Sequence, residues 1–369
     1  MKIQAVILAA GAGTRMQPLT GDVSKVMLPA ANIPMLEHIV KMMETITDEI
    51  IIVINKDQKD VKNYFDHTQI QFAIQKHQLG TADALRAAEK YLSSNFIVKN
   101  GDELILKRDL EKFAMTKPYT IACFRVKEPQ RFGVFSLSNG FITDIIEKPK
   151  EPPSNLINAG MYLSDLDIFD AIRKTPVSER GEYEITDSWK ILIEEGKKIK
   201  PFILEKWNTI GYPWHFFDAN KLILDDSGSI IKSHISADIE EPVAIGRNVI
   251  IGNNTKITKY SSIGNSCEIG ENVLIKNSVI MEGCQIADNA KIMDSVIGKN
   301  VIIGENSVLD NRVDGKTVKM WVNGKLTDSR RKELGSVIGH NTIIGDNIKI
   351  KAGTKIDPDS KITKRIDYE

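Results

Sequence analysis

Residues 244–276 read AIGRNVIIGNNTKITKYSSIGNSCEIGENVLIK, and an isoleucine returns in this stretch every six residues. A strand alternates its faces with a period of two, so a six-residue period predicts a short strand, a sharp turn and one inward aliphatic residue per step. Three such steps close a triangular coil. After single-residue slips the spacing continues through Ile280, Ile286, Ile292, Ile297 and Ile303. The repeat therefore predicts a β solenoid, and it indicates shape rather than chemistry.

The turns of this solenoid are rich in glycine and asparagine. Both residue types suit tight or left-handed backbone, where another side chain would clash. The turn residues are Gly246, Asn253, Asn254, Gly264, Asn265, Gly270 and Asn272. A charged segment, residues 310–334, breaks the six-residue register. A loop of about 25 residues inside a compact coil is long enough to indicate a function.

The length of 369 residues favours two domains, because a single core rarely grows that large. We expect a first domain over residues 1–228 and a solenoid domain over residues 229–369, joined by the small polar residues 225–229. The 49 basic and 49 acidic residues give a formal net charge of zero. This balance gives no electrostatic reason to expect a nucleic-acid or membrane-surface partner.

The three cysteines, Cys123, Cys267 and Cys284, form no CxxC pair. We interpret them as buried, reduced thiols, which favours a cytoplasmic protein. The apolar run near Met1 is too short for a signal peptide and leads into a glycine-rich loop, so we assign it to the first strand of the fold. No stretch approaches the ~20 apolar residues that span a bilayer.

Strand and helix patterns alternate through the first hundred residues. Such alternation is typical of a doubly wound α/β domain, in which ligands bind at the carboxyl ends of the strands. From about residue 120, apolar strand pairs predict an antiparallel extension of the sheet. The predicted strands are 3–9, 49–54, 70–74 and 96–99, and the predicted helices are 35–45, 58–65, 81–92, 184–194 and 214–224.

The loop after the first strand contains Gly11, Gly13 and Arg15, and Lys25 follows on the same connection. Glycines directly after a strand let the backbone approach a phosphate, and successive N–H groups form an anion-binding nest. An ordinary tight turn would also contain glycines. Two cations on the same connection favour phosphate binding over that simpler interpretation.

The whole string of residues 8–29, LAAGAGTRMQPLTGDVSKVMLP, resembles the signature of the sugar-1-phosphate nucleotidylyltransferase family. The resemblance implies a Rossmann-like nucleotidyltransferase domain. It also implies transfer of a nucleotidyl group from UTP or dTTP to a sugar-1-phosphate, either glucose-1-phosphate or N-acetylglucosamine-1-phosphate, with release of pyrophosphate.

The resemblance also assigns roles to individual residues, each of which would be unremarkable alone. The implied nucleotide-binding residues are Leu8, Ala10, Gly11, Gly13, Thr14, Gln75, Gly80, Thr81 and Gly101. The implied sugar-phosphate contacts are Gly133, Glu147, Lys148 and Asn158. The implied catalytic residues are Arg15, Lys25, Asp102 and Lys148. We expect Lys25 and Asp102 to lie on exposed loops.

Both reactants of such a transfer are anionic, so the site must neutralise their repulsion and align the attack in line. The resemblance implies Mg²⁺ held by Asp102 and phosphate oxygens. Two positions depart from the family pattern. Ser24 replaces a proline, and Thr209 replaces a second metal-binding Asp or Asn. The alternatives are that Asn208 or Asp218 substitutes for Thr209, or that Asp102 and the phosphates hold the metal alone.

The solenoid resembles the left-handed β-helix of bifunctional N-acetylglucosamine-1-phosphate uridyltransferase and its archaeal relatives, which implies a homotrimer. In those enzymes the β-helix can transfer an acetyl group from acetyl-CoA with a histidine base. The corresponding residues 281–296 contain no histidine, and His234 and His340 lie elsewhere. We therefore expect acetyl transfer to be absent, although residues 310–334 resemble the family's protruding loop.

Two alternatives to a single-activity enzyme remain open. The first is a regulatory protein that binds nucleotide sugars and has lost catalysis through the change at Thr209. The second is a bifunctional enzyme that also acetylates an amino-sugar phosphate. Which nucleotide and which sugar phosphate are preferred depends on pocket shape, which the motifs do not define.

Overall fold

The computed structural model describes residues 3–233 and 237–363. These residues form two compact units, each built from two segments of the chain. The first unit contains the residues up to Ala12 and Met35–Trp207, and the second contains Gly13–Pro34 and the residues from Asn208 onward. His234 lies outside the described residues. The domain boundary after residue 228 stays a prediction.

The first unit is built on a nine-stranded mixed sheet. Its central strands run parallel, and Leu156–Ser164 pairs antiparallel with Phe96–Asn100, so the predicted α/β architecture with an antiparallel extension is confirmed. In spatial order the strands are Phe141–Glu147, Gly133–Ser138, Leu156–Ser164, Phe96–Asn100, Gln4–Leu8, Ile50–Asn55 and Gln71–Gln75. Thr120–Arg125 pairs with Leu156–Ser164 and carries Lys200–Ile203 on its other edge.

Helices cover this sheet because their apolar residues recur on one face. The helices of the first unit are Met35–Met43, Lys59–Tyr64, Thr81–Ala88, Lys107–Ala114, Ile168–Lys174 and Ile185–Glu194. Three of them, Thr81–Ala88, Ile168–Lys174 and Ile185–Glu194, contribute to one apolar core with the sheet. The predicted helix over 81–92 ends as a 3₁₀ turn, Glu89–Tyr91. No helix in residues 3–233 and 237–363 is long and apolar enough to cross a membrane.

The second unit contains the predicted solenoid, a left-handed β-helix of short parallel strands stacked in three sheets. The first sheet contains Ile230–Ile231, Ala244–Ile245, Ser262–Ile263, Val279–Ile280, Val296–Ile297, Val337–Ile338 and Lys355–Ile356. The second contains Asp238–Ile239, Lys256–Ile257, Leu274–Lys276, Lys291–Met293, Val308–Leu309 and Lys349–Ile350. The third contains Ile250–Ile251, Glu268–Ile269, Gln285–Ile286, Ile302–Ile303, Ile343–Ile344 and Lys361–Ile362.

The isoleucines of the repeat form the interior of the β-helix. Directly stacked residues such as Ile245 and Ile263 or Ile269 and Ile286 share one apolar core, whose members are almost completely buried. Burying each such side chain stabilises the coil by about 1.5–3 kcal/mol. Cys267 and Cys284 lie in the same core, and Cys123 is buried in the first unit, so the prediction of buried free thiols is confirmed.

The turn residues divide into two kinds. Asn254 and Asn272 have the left-handed backbone that was predicted, with φ of 58° and 56°. Gly264 serves a different purpose, because a Cβ there would lie 2.4 Å from the backbone nitrogen of Glu282 on the next coil. Gly264 therefore permits close stacking of successive coils, while Asn254 and Asn272 supply left-handed turns. Asn253 and Asn265 do not have left-handed backbone, and beside Asn265 it is Ser266, with φ of 55°, that takes this conformation.

Two segments differ from or add to the sequence prediction. The predicted linker is partly helical, since the helix His215–Ser227 includes Asp225 and Asp226 and ends at Gly228, whose φ of 73° suits a helix terminus. The segment 310–334 contains an antiparallel hairpin of Lys319–Val322 and Lys325–Asp328. The remaining strands are Pro29–Ala30, Ile33–Pro34, Glu103–Ile105 and Trp207–Thr209.

Candidate functional site

In the first unit, the loops after two neighbouring parallel strands meet. Leu8 pairs with Asn100, and the Gly101 amide donates a 2.8 Å hydrogen bond to the Leu8 carbonyl. Asp102 follows at once and is partly buried, so it is less exposed than expected. The predicted nucleotide residues Leu8 and Gly101 and the predicted metal ligand Asp102 therefore lie together at the carboxyl edge of the sheet, where α/β folds bind ligands.

The segment 75–81 joins this edge through hydrogen bonds. The Gln75 side-chain amide donates to the Gly80 carbonyl and to the Asp83 carboxylate, both at 3.0 Å, which fixes the loop before the helix Thr81–Ala88. Gln78 donates a 2.6 Å hydrogen bond to the Ala10 carbonyl. Thr81 Oγ1 accepts from the Ile185 amide at 3.0 Å. A Cβ at Gly11 would meet no atom within 4 Å, so this part of the loop leaves open space.

The predicted sugar-phosphate residues also converge. Gly133 pairs with Glu147 across the antiparallel strands, and a Cβ at Gly133 would lie 3.5 Å from that of Asn158. Lys148 Nζ lies 3.4 Å from Glu147 Oε1 and is well exposed. Asn158 donates from Nδ2 to the Tyr162 hydroxyl at 2.5 Å and accepts from the Gly160 amide at 3.0 Å. Carboxylate and amide oxygens beside a lysine can bind sugar hydroxyls and a phosphate.

Three acidic or basic residues in this cluster were not identified from the sequence. Arg180 lies 2.8 Å from Glu184 and 3.6 Å from Glu147. Burial raises the pKa of Glu184, and burial together with the Glu147 charge raises the pKa of Asp187. Carboxyls with raised pKa values near a cation are common at functional sites. The only signal in the sequence was the spacing of Glu184, which directly precedes the helix Ile185–Glu194, and Asp187, three residues later. Residues with this spacing can share one face of a helix.

A buried ion pair beneath Asp102 was also missed. Lys99 is 1% exposed, and its Nζ lies 3.6 Å from Glu103 Oε2, which also accepts from Trp207 Nε1 at 3.4 Å. Burial lowers the pKa of Lys99 and raises that of Glu103, while their attraction acts in the opposite sense. A lysine inside the apolar strand FIVKN was the available signal, because unpaired lysines are almost never buried.

Four predicted residues, Gly13, Thr14, Arg15 and Lys25, belong to the second unit. The Arg15 guanidinium carbon lies 5.3 Å from the centre of the Tyr212 ring, and Arg15 remains exposed. Lys25 is only 7% exposed, so the expectation of an exposed loop is wrong for this residue. The reason is the 3₁₀ turn Lys25–Met27, which lays the Lys25 stem along Gly13.

The candidates for a second metal ligand differ in their surroundings. Asp218 accepts a 2.5 Å ion-paired hydrogen bond from Arg331, which compensates its charge. Asn208 Oδ1 is buried, and among the described residues it has no hydrogen-bond partner. An unsatisfied buried oxygen is the kind of donor that Mg²⁺ accepts. Nowhere in residues 3–233 and 237–363 do three His, Cys, Asp or Glu side chains group as a complete metal site.

Gly13→Ala is expected to lower kcat/KM about tenfold, with a loss of stability of about 1–2 kcal/mol from the left-handed backbone. Gly13 has φ of 65°, and an added Cβ would lie 2.6 Å from Lys25 Cβ, so Lys25 must shift. Steady-state kinetics and urea unfolding measure the two effects. Gly140→Ala is the matched control, since Gly140 also has positive φ but open space around it. Equal effects on kcat/KM in both variants would contradict the role of Gly13.

Two known protein families match this chain. The family described as nucleotidyl transferase matches residues 4–226, and the family described as the EIF2B subunit epsilon left-handed β-helix domain matches residues 227–319. The match to the first family covers the loops and strands that form the candidate site. The two matches agree with the α/β sheet and the β-helix of the structure.

Similar proteins and solved structures support this family assignment. "Bifunctional protein GlmU" of Methanocaldococcus jannaschii is 36% identical over 96% of this chain and 92% of its own length. A bifunctional sugar-1-phosphate nucleotidylyltransferase/acetyltransferase of Sulfurisphaera tokodaii is 33% identical over 98% of this chain and 96% of its own. A Bacillus anthracis structure named for glucose-1-phosphate thymidylyltransferase, 29% identical, covers 60% of this chain and 96% of its own at a TM-score of 0.55. The chain therefore belongs to the nucleotidyl transferase family and is an enzyme of that family.

Proposed function

We propose that this enzyme transfers a nucleotidyl group from UTP or dTTP to a sugar-1-phosphate, glucose-1-phosphate or N-acetylglucosamine-1-phosphate, and releases pyrophosphate. The observation that carries the proposal lies within the first unit. The loops that contain Leu8, Gly101 and Asp102 share one sheet with the cluster of Glu147, Lys148 and Asn158. The first group suits a nucleotide and the second suits a phosphorylated sugar.

In the proposed reaction a phosphate oxygen of the sugar-1-phosphate attacks the α-phosphorus of the triphosphate. The bond from that phosphorus to the oxygen bridging to the β-phosphate breaks, and pyrophosphate leaves with the electron pair. No covalent protein intermediate is needed. Arg15, Lys25 and Lys148 supply positive charge against the repulsion of the two anions. Glu147 and Asn158 orient the sugar through its hydroxyls.

Mg²⁺ is part of the proposal. Asp102 would hold it together with phosphate oxygens of the substrate, and Asn208, whose side-chain oxygen is buried and unsatisfied within the described part of the chain, is the candidate to replace the missing ligand at Thr209. One or two protein oxygens fit Mg²⁺, which usually retains waters and takes phosphate oxygens from its substrate. When bound, the ion neutralises phosphate charge and favours departure of pyrophosphate.

Pyrophosphate release from UTP or dTTP with each sugar-1-phosphate tests the function directly. We expect release that depends on both substrates and on Mg²⁺. The regulatory alternative predicts binding of the nucleotide sugar without release. If a panel of nucleotides and sugar phosphates gave binding alone, the proposed transfer would be wrong.

Acetyl transfer is a second candidate function because two of the similar proteins are named as bifunctional, one of them explicitly as an acetyltransferase. The expectation from residues 281–296 is the opposite, since this stretch carries no histidine base. Thiol release from acetyl-CoA in the presence of glucosamine-1-phosphate decides between them. We expect none above the rate without the sugar phosphate.

The proposal includes a cytoplasmic homotrimer built through the β-helix. Ile250, Ile302 and Ile343 point outward from one sheet of the coil and are 65%, 39% and 38% exposed. The same face also carries Glu268, Gln285 and Lys361, so it is mixed, and its exposed isoleucines are the part that supports packing around a threefold axis. Light scattering is expected to give about three times the chain mass of 41.2 kDa. The buried free cysteines suit a reducing compartment.

A further inference from the structure

The segment 13–34, which carries Arg15 and Lys25, is attached to the β-helix at both of its ends and in its middle. Near its start, Asn323 Nδ2 at the tip of the hairpin donates to Thr14 Oγ1 at 3.3 Å. In the middle, His340 Nε2 lies 3.0 Å from the Leu19 carbonyl oxygen. At its end, Asn32 Nδ2 donates to the Ile263 carbonyl at 2.6 Å. All of these residues belong to the second compact unit.

The hydrogen bonds of His340 define its tautomer. Its Nδ1 lies 2.8 Å from the backbone nitrogen of Lys299, which can only donate. Nδ1 must therefore be an acceptor, so the ring proton is on Nε2 and is donated to the Leu19 carbonyl. The half-buried imidazole links two backbone segments only while it is neutral, because a proton on Nδ1 would face the Lys299 amide.

Asn220 makes a further link. It is completely buried on the helix His215–Ser227, and its Oδ1 accepts from the Ala31 amide at 2.7 Å. Its Nδ2 donates to Ser262 Oγ at 2.9 Å and to the Tyr260 carbonyl at 3.2 Å. Its amide thus ties the end of segment 13–34 to the first sheet of the coil. The apolar contact of Ala31, Leu224 and Ala244 adjoins these bonds.

We propose that the β-helix takes part in nucleotidyl transfer by holding segment 13–34 in its binding conformation, with His340 and Asn220 as positioning residues. This inference rests on the proposed function of Arg15 and Lys25. Neither positioning residue needs to touch substrate. A site that stabilises charge in a transition state depends on groups that are already in place, and an untethered loop of this length would have to be ordered by the substrate at each turnover.

The first test replaces His340. His340→Ala is expected to speed amide hydrogen exchange within residues 13–34 about tenfold. It should raise the KM for the nucleoside triphosphate by a similar factor, because the loss of one hydrogen bond has an effect of this size. We expect a smaller change in kcat. His340→Gln retains an amide donor near the Nε2 position and should recover most of both effects. His67→Gln is the control, because His67 is exposed on the first unit.

The exchange measurement needs no substrate, so it separates this inference from the proposed function. If the wild-type enzyme releases no pyrophosphate but His340→Ala speeds exchange in residues 13–34, the proposed function is wrong. The conclusion that His340 attaches segment 13–34 to the β-helix would still be supported. If His340→Ala leaves the exchange at its wild-type rate, or speeds exchange but leaves the KM of an active enzyme unchanged, the inference is overturned. Asn220→Asp is a second variant of similar shape, in which the donors to Ser262 and Tyr260 are lost, and it should also speed exchange in residues 13–34. Exchange at the wild-type rate in this variant would remove Asn220 from the attachment.

The pH profile supplies a readout that a purely structural histidine would not change. Burial lowers the pKa of His340, and Lys299 acts in the same sense, while the Leu19 carbonyl, Asp22 and Asp359 act against it. Since the unfolded segment binds the proton more readily, the attachment is complete above the ordinary histidine pKa of about 6.5 and weakens as pH falls below it. Below that pH the KM of the wild-type enzyme for the nucleoside triphosphate should rise, whereas the KM of His340→Gln should not change. An equal acid rise in both would overturn the role of His340.

Discussion

Asp102→Asn is expected to lower kcat about a thousandfold, the largest effect of any single replacement in the first unit, since it removes the negative charge that would hold Mg²⁺ against the reacting phosphates. The asparagine has the same shape, so packing against the loop of Leu8 and Gly101 is retained. The side chain would still offer one oxygen, but a neutral one. We therefore also expect half-maximal activity to require more Mg²⁺ than in the wild type.

A Mg²⁺ titration of the pyrophosphate-release rate measures both parts of this prediction. Asp66→Asn is the matched control, because the Asp66 side chain is 71% exposed and lies away from the carboxyl edge of the sheet on the loop after Lys59–Tyr64. Thermal unfolding checks that the Asp102 variant is folded. A folded Asp102→Asn enzyme with kcat close to the wild-type value would remove Asp102 from the reaction.

The solenoid and the α/β sheet were predictable because their signals are local and repeated. Each isoleucine from Ile245 to Ile303 predicts the same step of one strand and one turn, so the prediction at one position is supported by the positions before and after it. The parallel strands Gln4–Leu8 and Ile50–Asn55 are apolar except for Gln4 and Asn55 at their ends, as is typical of strands covered on both faces. The carboxyl ends of such strands then indicate where a ligand binds.

The parts that sequence could not supply all depend on contacts between distant residues. His340 meets Leu19, and Asn220 meets Ala31, across more than half of the chain. The presence of a single histidine or asparagine in the sequence does not indicate which distant residue it contacts. The same holds for Lys99, whose buried charge becomes intelligible only with Glu103 beside it. The family motifs therefore identify the residues of the candidate site. The residues that hold those motifs in place can be identified only from the tertiary structure.

The burial of Lys25 makes its replacement more informative than that of an exposed lysine. Its Cβ, Cγ and Cδ would lie 2.6, 3.4 and 3.5 Å from a Cβ built at Gly13, so the aliphatic stem is part of the packing of the loop. Lys25→Ala would remove the stem and the charge together. Lys25→Met retains most of the stem and removes only the ammonium group, which isolates the electrostatic contribution.

Lys25→Met is expected to lower kcat/KM about a hundredfold to a thousandfold, because a fixed positive charge beside a triphosphate acts most strongly where water is excluded. Unfolding in urea should change little, since the apolar volume is conserved. Lys62→Met is the control, because Lys62 is exposed on the helix Lys59–Tyr64. Lys25→Arg should recover part of the activity. If Lys25→Met kept full activity while Lys25→Ala lost it, Lys25 would support the loop by packing alone and its charge would have no part in catalysis.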